Sequence, residues 1–199
     1  MIYKSLQLIV KELNRFLNSI SGRDDELVVL GNISQLEFNQ SVNDSSNSLI
    51  NKIVITLINV EEEKVLKNTP VYRIIDTETI YRNPPLFMNL YILICSTSTA
   101  YDNALILLSR VLQFFQGQKV FTQQNSPQNN QPGLGIENFK LIFDLYSPTF
   151  EETNFLWSTL GGKQLPSLIY KVRLITLERE EPKLTETREV IAEINLHEK

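Results

Sequence analysis

The sequence predicts a mixed α/β (α+β) domain, with a largely antiparallel sheet of about five or six strands flanked by helices. Three observations lead there. Two long segments carry apolar residues at helical steps of three and four. Several shorter segments alternate apolar and polar residues, or are apolar throughout, over strand-like lengths. Stretches rich in Asn, Ser, Pro and Gly separate nearly all of them. The chain has 199 residues, 42% hydrophobic and 21% charged. A domain of this size buries roughly 70% of its unfolded surface, so a core forms without disulfides or metals.

Residues 2–20 form the first helix, with Ile2, Leu6, Ile9, Leu13, Phe16, Leu17 and Ile20 as its stripe and Gly22 as its left-handed end. Residues 27–33 read as a strand interrupted by Gly31, and residues 39–51 as a polar loop. Residues 53–60 are rich in β-branched side chains and form a strand, closed by Glu61-Glu62-Glu63. An irregular connection spans residues 64–85, in which residues 71–77 are expected to form a short edge strand. Residues 86–95 are apolar on both faces, as a central strand requires, with Asn89 as the one interruption.

A second helix starts near Thr99, with Thr99 and Asp102 at first-turn spacing. Its predicted buried stripe is Tyr101, Ala104, Leu108, Val111, Leu112 and Phe115, and it ends at Gly117. After a polar loop at 122–137, Phe139, Leu141, Phe143 and Leu145 alternate with Lys140 and Asp144 as a half-buried strand. Thr149-x-x-Glu152 is a capping-box pattern opening a short helix that carries Phe150 and Trp157, terminated by Gly161-Gly162. In the strand 168–177, Tyr170, Val172 and Leu174 share one face and Lys171 and Arg173 the other. A charged break leads to a last alternating segment holding Val190, Ala192, Ile194 and Leu196. The domain boundaries follow as 1–180, with 181–199 as a C-terminal arm or edge strand.

Chemistry is sparse. His197 is the only histidine and stands near the end of the chain, so no triad or histidine metal site is expected. Cys95 is the only cysteine and lies in an apolar run, which suits a small buried hydrophobe and a reducing compartment. The carboxylates of Glu61, Glu62 and Glu63 alternate between faces and do not converge. Gly133-Leu134-Gly135 lacks the third glycine and the strand-loop-helix setting of a nucleotide loop. Trp157 reads as a core anchor. A net charge of −4 gives no basic footprint for nucleic acid or membrane. No catalytic, cofactor-binding or metal-binding residues are expected, and the chain reads as a non-enzymatic interaction protein. The charged, amphipathic start is no signal peptide, and no apolar run reaches membrane-spanning length.

Specific stretches then narrow the reading. They are Asn83-Pro84-Pro85-Leu86-Phe87-Met88-Asn89-Leu90-Tyr91-Ile92-Leu93, Tyr101-Asp102-Asn103-Ala104-Leu105 and Leu156-Trp157-Ser158-x-Leu160-Gly161. With them go Leu30-Gly31-Asn32-Ile33, Val120-Phe121-Thr122 and Pro166-Ser167-x-x-Tyr170-Lys171-Val172-Arg173. In order and spacing these resemble the N-terminal domain of the tail-terminator, or cap, proteins of extracellular contractile injection systems, which are phage-tail-like particles. The resemblance covers most of residues 1–177.

It implies a ring of copies, a homohexamer, at the baseplate-distal end of the inner tube and sheath. There the ring ends polymerisation and anchors the last sheath layer. Expected partners are the chain itself, the sheath protein and the inner-tube protein, with no cofactor, nucleic acid or membrane. Assembly is expected in the cytoplasm, before the particle is released or anchored. A strand edge that accepts an exchanged strand would suit this role. The candidate segments are 188–196 and 168–177, and the candidate interface residues are Arg188, Val190, Ala192, Ile194, Leu196, Lys171 and Arg173. Segment 188–196 serves equally as a strand of the domain's own sheet. Other readings are another adaptor of the same particle, a small-ligand module or an enzyme; the last two need a deep pocket or a convergent polar site.

Overall fold

The computed structural model describes residues 1–22, 24–36, 49–63, 72–75, 78–81, 86–130, 134–136 and 139–177. Helix α1 spans Ile2–Ser21 and ends where Gly22 takes φ 66°, its N–H donating to Asn18 O. The predicted stripe is buried at Leu6, Ile9, Leu13 and Leu17, while Ile20 is exposed. Asn14 fastens α1 to β1 (Val28–Leu30): its Oδ1 accepts the N–H groups of Leu27 and Val28, and its Nδ2 donates to Val28 O. The strand stops at Leu30, short of the predicted Ile33. Gly31 leaves room for Leu49, since a Cβ there would lie 2.8 Å from a Leu49 methyl, and the chain then forms a single 3-10 turn at Ile33–Gln35. Thr56 Oγ1 holds that turn by donating to Gly31 O and accepting the Ile33 N–H.

The remaining elements are β2 (Ile53–Glu62), β3 (Tyr72–Ile75), β4 (Glu78–Tyr81), β5 (Leu86–Ser96), α2 (Tyr101–Gly117), β6 (Val120–Thr122), β7 (Lys140–Tyr146), α3 (Phe150–Thr159) and β8 (Ser167–Leu177). Six strands make one sheet in the order β1-β2-β5-β8-β7-β6. Only β1 and β2 pair in parallel. The mixed, largely antiparallel sheet with flanking helices is therefore as predicted. The expected edge strand at 71–77 is different: β3 pairs with β4 in a separate two-stranded hairpin.

The sheet has an apolar layer on each face. On one, Leu90, Ile92, Ile94, Phe143, Tyr170 and Val172 meet α1 and α2. On the other, Val54, Leu93, Cys95 and Ile169 meet Trp157 of α3 and Ile33. Strand β5 feeds both layers, which accounts for its apolar run.

Two predicted helix features are corrected. Tyr101 and Leu112 are exposed, and the buried face of α2 runs through Ala104, Leu108, Val111, Phe114 and Phe115. The N-cap of α2 is Ala100, with no side-chain cap, because Thr99 instead hydrogen-bonds Asn51 through both its N–H and its hydroxyl. The capping box of α3 is as predicted: Thr149 Oγ1 accepts the Glu152 N–H, and Glu152 accepts the Thr149 N–H.

Candidate interaction surface

Helix α3 covers only part of its face of the sheet. Beyond it runs a strip built by one residue from each of four adjacent strands: Glu61 of β2, Tyr91 of β5, Lys171 of β8 and Asp144 of β7. A register shift between Leu57 and Asn59 creates this alignment. Without the extra residue, Glu61 would fall opposite Met88 and point into the α1 layer; the bulge turns it to the Lys171 side. A second shift, opposite Met88 and Leu90, brings Ile175 of β8 into the layer of Tyr170 and Val172.

Hydrogen bonds, ring contacts and ion pairs hold its side chains in two groups. Tyr91 donates its hydroxyl proton to Glu61 at 3.1 Å, and Lys171 Nζ reaches the same carboxylate oxygen at 3.3 Å. Lys171 Nζ also lies 5.2 Å from the centre of the Tyr91 ring. Arg173 pairs with Asp144 at 2.7 Å. Tyr91 and Tyr146 meet edge to face at 5.4 Å, and Tyr146 donates to Glu152 of α3. The Tyr91 hydroxyl, and then Lys171, hold the Glu61 carboxyl below the usual carboxylate range. Tyr91 and Glu61 in turn raise Lys171. The Glu152 charge raises Tyr146. All these groups are solvated, so the pairs set orientation more than stability.

Because the folded-state pKa of Glu61 is depressed, its contribution is present above the ordinary carboxylate range. It is lost as pH falls through the depressed value. Tyr91→Phe and Lys171→Met are each expected to move the Glu61 midpoint up toward the ordinary value. An NMR carboxyl titration reads both, and unmoved midpoints would show that the strip is not coupled as drawn.

Lys171 and Arg173 therefore stand on one exposed face, as predicted. Over Ile169–Arg173, strand β8 is paired on both sides, with β5 and with β7, so that stretch of the expected strand 168–177 offers no free edge. Arg188, Val190, Ala192, Ile194 and Leu196, and His197 with them, lie outside the described residues. The polar loop 39–51 lies largely outside them as well. The partners Tyr91, Asp144 and Tyr146 were not singled out from the sequence.

The arrangement suits surface recognition. Each acid in the strip is matched by a base, and none is shielded from water. Cys95 is fully buried, and burial pushes its thiol up to about 12, so it stays protonated at neutral pH. Among the described residues, no group of three or more His, Cys, Asp or Glu side chains is placed to hold a metal ion. Among them too, no helix is long and apolar enough to cross a membrane.

The model of the Pvc16 N-terminal domain matches residues 6–189. The chain belongs to this family. No curated protein matches it. Among solved structures, the Pvc16-type domain is similar to the sheath/tube terminator of PVC, an extracellular contractile injection system, in its extended state. The identity is 13% and the TM-score 0.62, over 100% of this chain and 64% of that one. The tube-terminating cap of the anti-feeding prophage gives 15% identity and a TM-score of 0.48, over 69% of this chain and 46% of that one. The Pvc16-type domain thus spans 64% of the length of the sheath/tube terminator it matches.

Proposed function

We propose that this chain is a structural cap of a contractile injection system. In this reading copies form a ring, a homohexamer, at the baseplate-distal end of the inner tube and sheath. The ring ends growth of both and anchors the last sheath layer. A subunit that offers only one stacking face stops an otherwise open polymer. The carrying observation is the family match over residues 6–189, joined to a fold that follows a sheath/tube terminator along the whole chain. The solvated, charge-balanced strip on the sheet supports work done by surfaces rather than by bond making, so the chain is read as a non-enzyme. The net charge of −4 supports protein partners over nucleic acid or anionic membrane. The finished product is part of an extracellular particle, assembled in the cytoplasm.

Electron microscopy of particles from a strain lacking the gene tests the reading. Sheaths and tubes of uncontrolled length are expected; normally finished ends would refute it. A finer proposal concerns the C-terminal arm, 181–199. Deleting 183–199 is expected to leave residues 1–177 folded, with an unchanged melting transition, while the sheath end loses its anchor. Length-controlled sheaths from that variant would remove the arm from the mechanism.

A further inference from the structure

Resting on the ring reading above, we propose that the notch in the sheet beyond the end of β1 receives a strand from a neighbouring copy. The incoming strand is segment 190–196 of that copy's C-terminal arm.

Strand β1 covers only part of β2. It pairs with Ile53, Val54 and Ile55 and stops at Leu30. Thr56 then holds the turn through Gly31 and Ile33. Among the described residues, no strand pairs with the outer edge of β2 from Leu57 to Glu61. Leu57 and Val60 are 38% and 44% exposed there. So β2 is an inner strand over its first residues and an edge strand over its last. Past the bulge, Asn59, Val60, Glu61 and Glu62 pair in even register with β5, which keeps this edge regular.

A groove of about 440 Å³ lies along the same place. Tyr3 and Leu6 of α1 form one wall, Leu156 and Leu160 of α3 the other, with Leu30 and Leu57 between them. Helices α1 and α3 pack on opposite faces of the sheet. One cavity touches both only where the sheet is interrupted, so the groove is the strand position beside β2 itself. A strand laid there meets backbone donors and acceptors along β2 and sends alternate side chains toward the two apolar walls. It also covers an edge that otherwise invites uncontrolled pairing.

Segment 190–196 suits this place. Val190, Ala192, Ile194 and Leu196 alternate with Ile191, Glu193 and Asn195, without proline or glycine. Glu189 and Glu193 match Lys4, exposed beside Tyr3 at the rim. Strand β8 ends at Leu177, opposite Leu86, at the end of the sheet where β2 also ends, opposite Met88. From there residues 178–189 reach up to about 40 Å when extended, enough to pass to an adjoining subunit. Within one subunit the arm would have to cross β5 and β2 where residues 64–85 already join them, and connections at one end of a sheet do not cross. The neighbouring copy is therefore the acceptor. A donated strand and a receiving notch differ from each other, as the contacts of a head-to-tail ring do.

Cross-linking tests the contact in the full-length chain. The only native thiol, Cys95, is buried and stays protonated, so introduced cysteines report alone. Val60→Cys and Ala192→Cys are made separately, mixed at high concentration and treated with a short bis-maleimide. A heterodimer is expected from the mixture and no dimer from either variant alone. A chain carrying both substitutions should give a ladder of larger species. A cross-link confined to one chain would place the arm in its own notch. A dimer from Val60→Cys alone would mean that two edges pair with each other. Either result overturns the proposal. So does the absence of any 60–192 cross-link, which would leave the notch to the sheath or tube protein.

Val60→Lys and Ile194→Lys supply an independent readout, because a charge on an edge or on the incoming strand opposes pairing. Sedimentation should show self-association weakened at least about 10-fold in each, with the melting transition unchanged. Unchanged association in either variant would sink the idea. A ring seen at the particle end without the 60–192 cross-link would refute this contact alone; finished ends without the protein would refute the cap reading itself.

Discussion

Replacing Phe115 with alanine should lower the unfolding free energy of the domain by about 3–5 kcal/mol. Phe115 is buried at the meeting point of α2, β6, β7 and β8. Its ring stacks on Phe143 at 4.8 Å and packs against Tyr170 at 4.5 Å, with Phe114 at 5.0 Å and Phe121 at 6.4 Å. Three of these neighbours, Phe121, Phe143 and Tyr170, are rings on sheet strands, so relaxation is limited and the cavity cost is retained. A single domain has about 5–15 kcal/mol in total, so the variant should sit near its folding threshold. Phe114→Ala is the internal comparison. That ring lies nearer the surface, beside the half-buried Phe16 of α1 at 5.4 Å, and its removal should cost clearly less. Urea unfolding reads both: the midpoint should fall with an unchanged slope. A loss under about 1 kcal/mol at Phe115 would mean that this aromatic cluster is not what fastens α2 to the sheet.

Periodicity carried what depends on one element meeting water on one side. The stripe of α1, the two-sided apolar run of β5 and the capping box of α3 are all local patterns, and each appears where the residues place it. Lateral order in the sheet is different. Lys171 and Arg173 alternate with Tyr170 and Val172, and that alternation states only that one face is wet. An edge strand and an interior strand with one open face share it, so the position of β8 between β5 and β7 had no signature. The polar strip was half legible for the same reason. Lys171 and Arg173 were visible as outward residues, but Glu61 joins them only through the bulge before Asn59, in a run with no glycine or proline to mark it. Tyr91 and Asp144 join through register set by distant strands. Long-range partners also displaced the expected cap of α2, since Asn51 takes Thr99 from a position 48 residues away. Phe150 and Trp157 stand seven residues apart, which places them on one helix face, yet one is bare and the other buried. Sheet lies under the last turns of α3 and not under the first, and sequence does not record where a sheet ends.

That overhang makes Trp157 the one deep anchor of α3, and Trp157→Ala is expected to act locally before it acts globally. Trp157 is the only fully buried side chain of the helix, packed with Val54, Leu93, Cys95 and Ile169. Truncating it should cost about 3–5 kcal/mol, by lost apolar burial and by the void left against the sheet. The core on the opposite face, between the sheet and the α1 and α2 helices, does not touch Trp157, so the first consequence should be release of α3 from an otherwise intact domain. Cys95 reports the difference. In the parent protein its thiol is shielded and protonated, and a disulfide reagent at mildly alkaline pH should reach it only through global unfolding. In Trp157→Ala the reagent should label Cys95 far faster than the global unfolding rate, while urea unfolding of the α1–α2 side keeps a single transition. Labelling that tracks global unfolding in both proteins would show that α3 and the sheet open together. The surfaces at the two ends of the helix would then be rigid parts of one cooperative unit. Early labelling, in contrast, means that α3 opens as a unit of its own, held to the sheet by this one side chain.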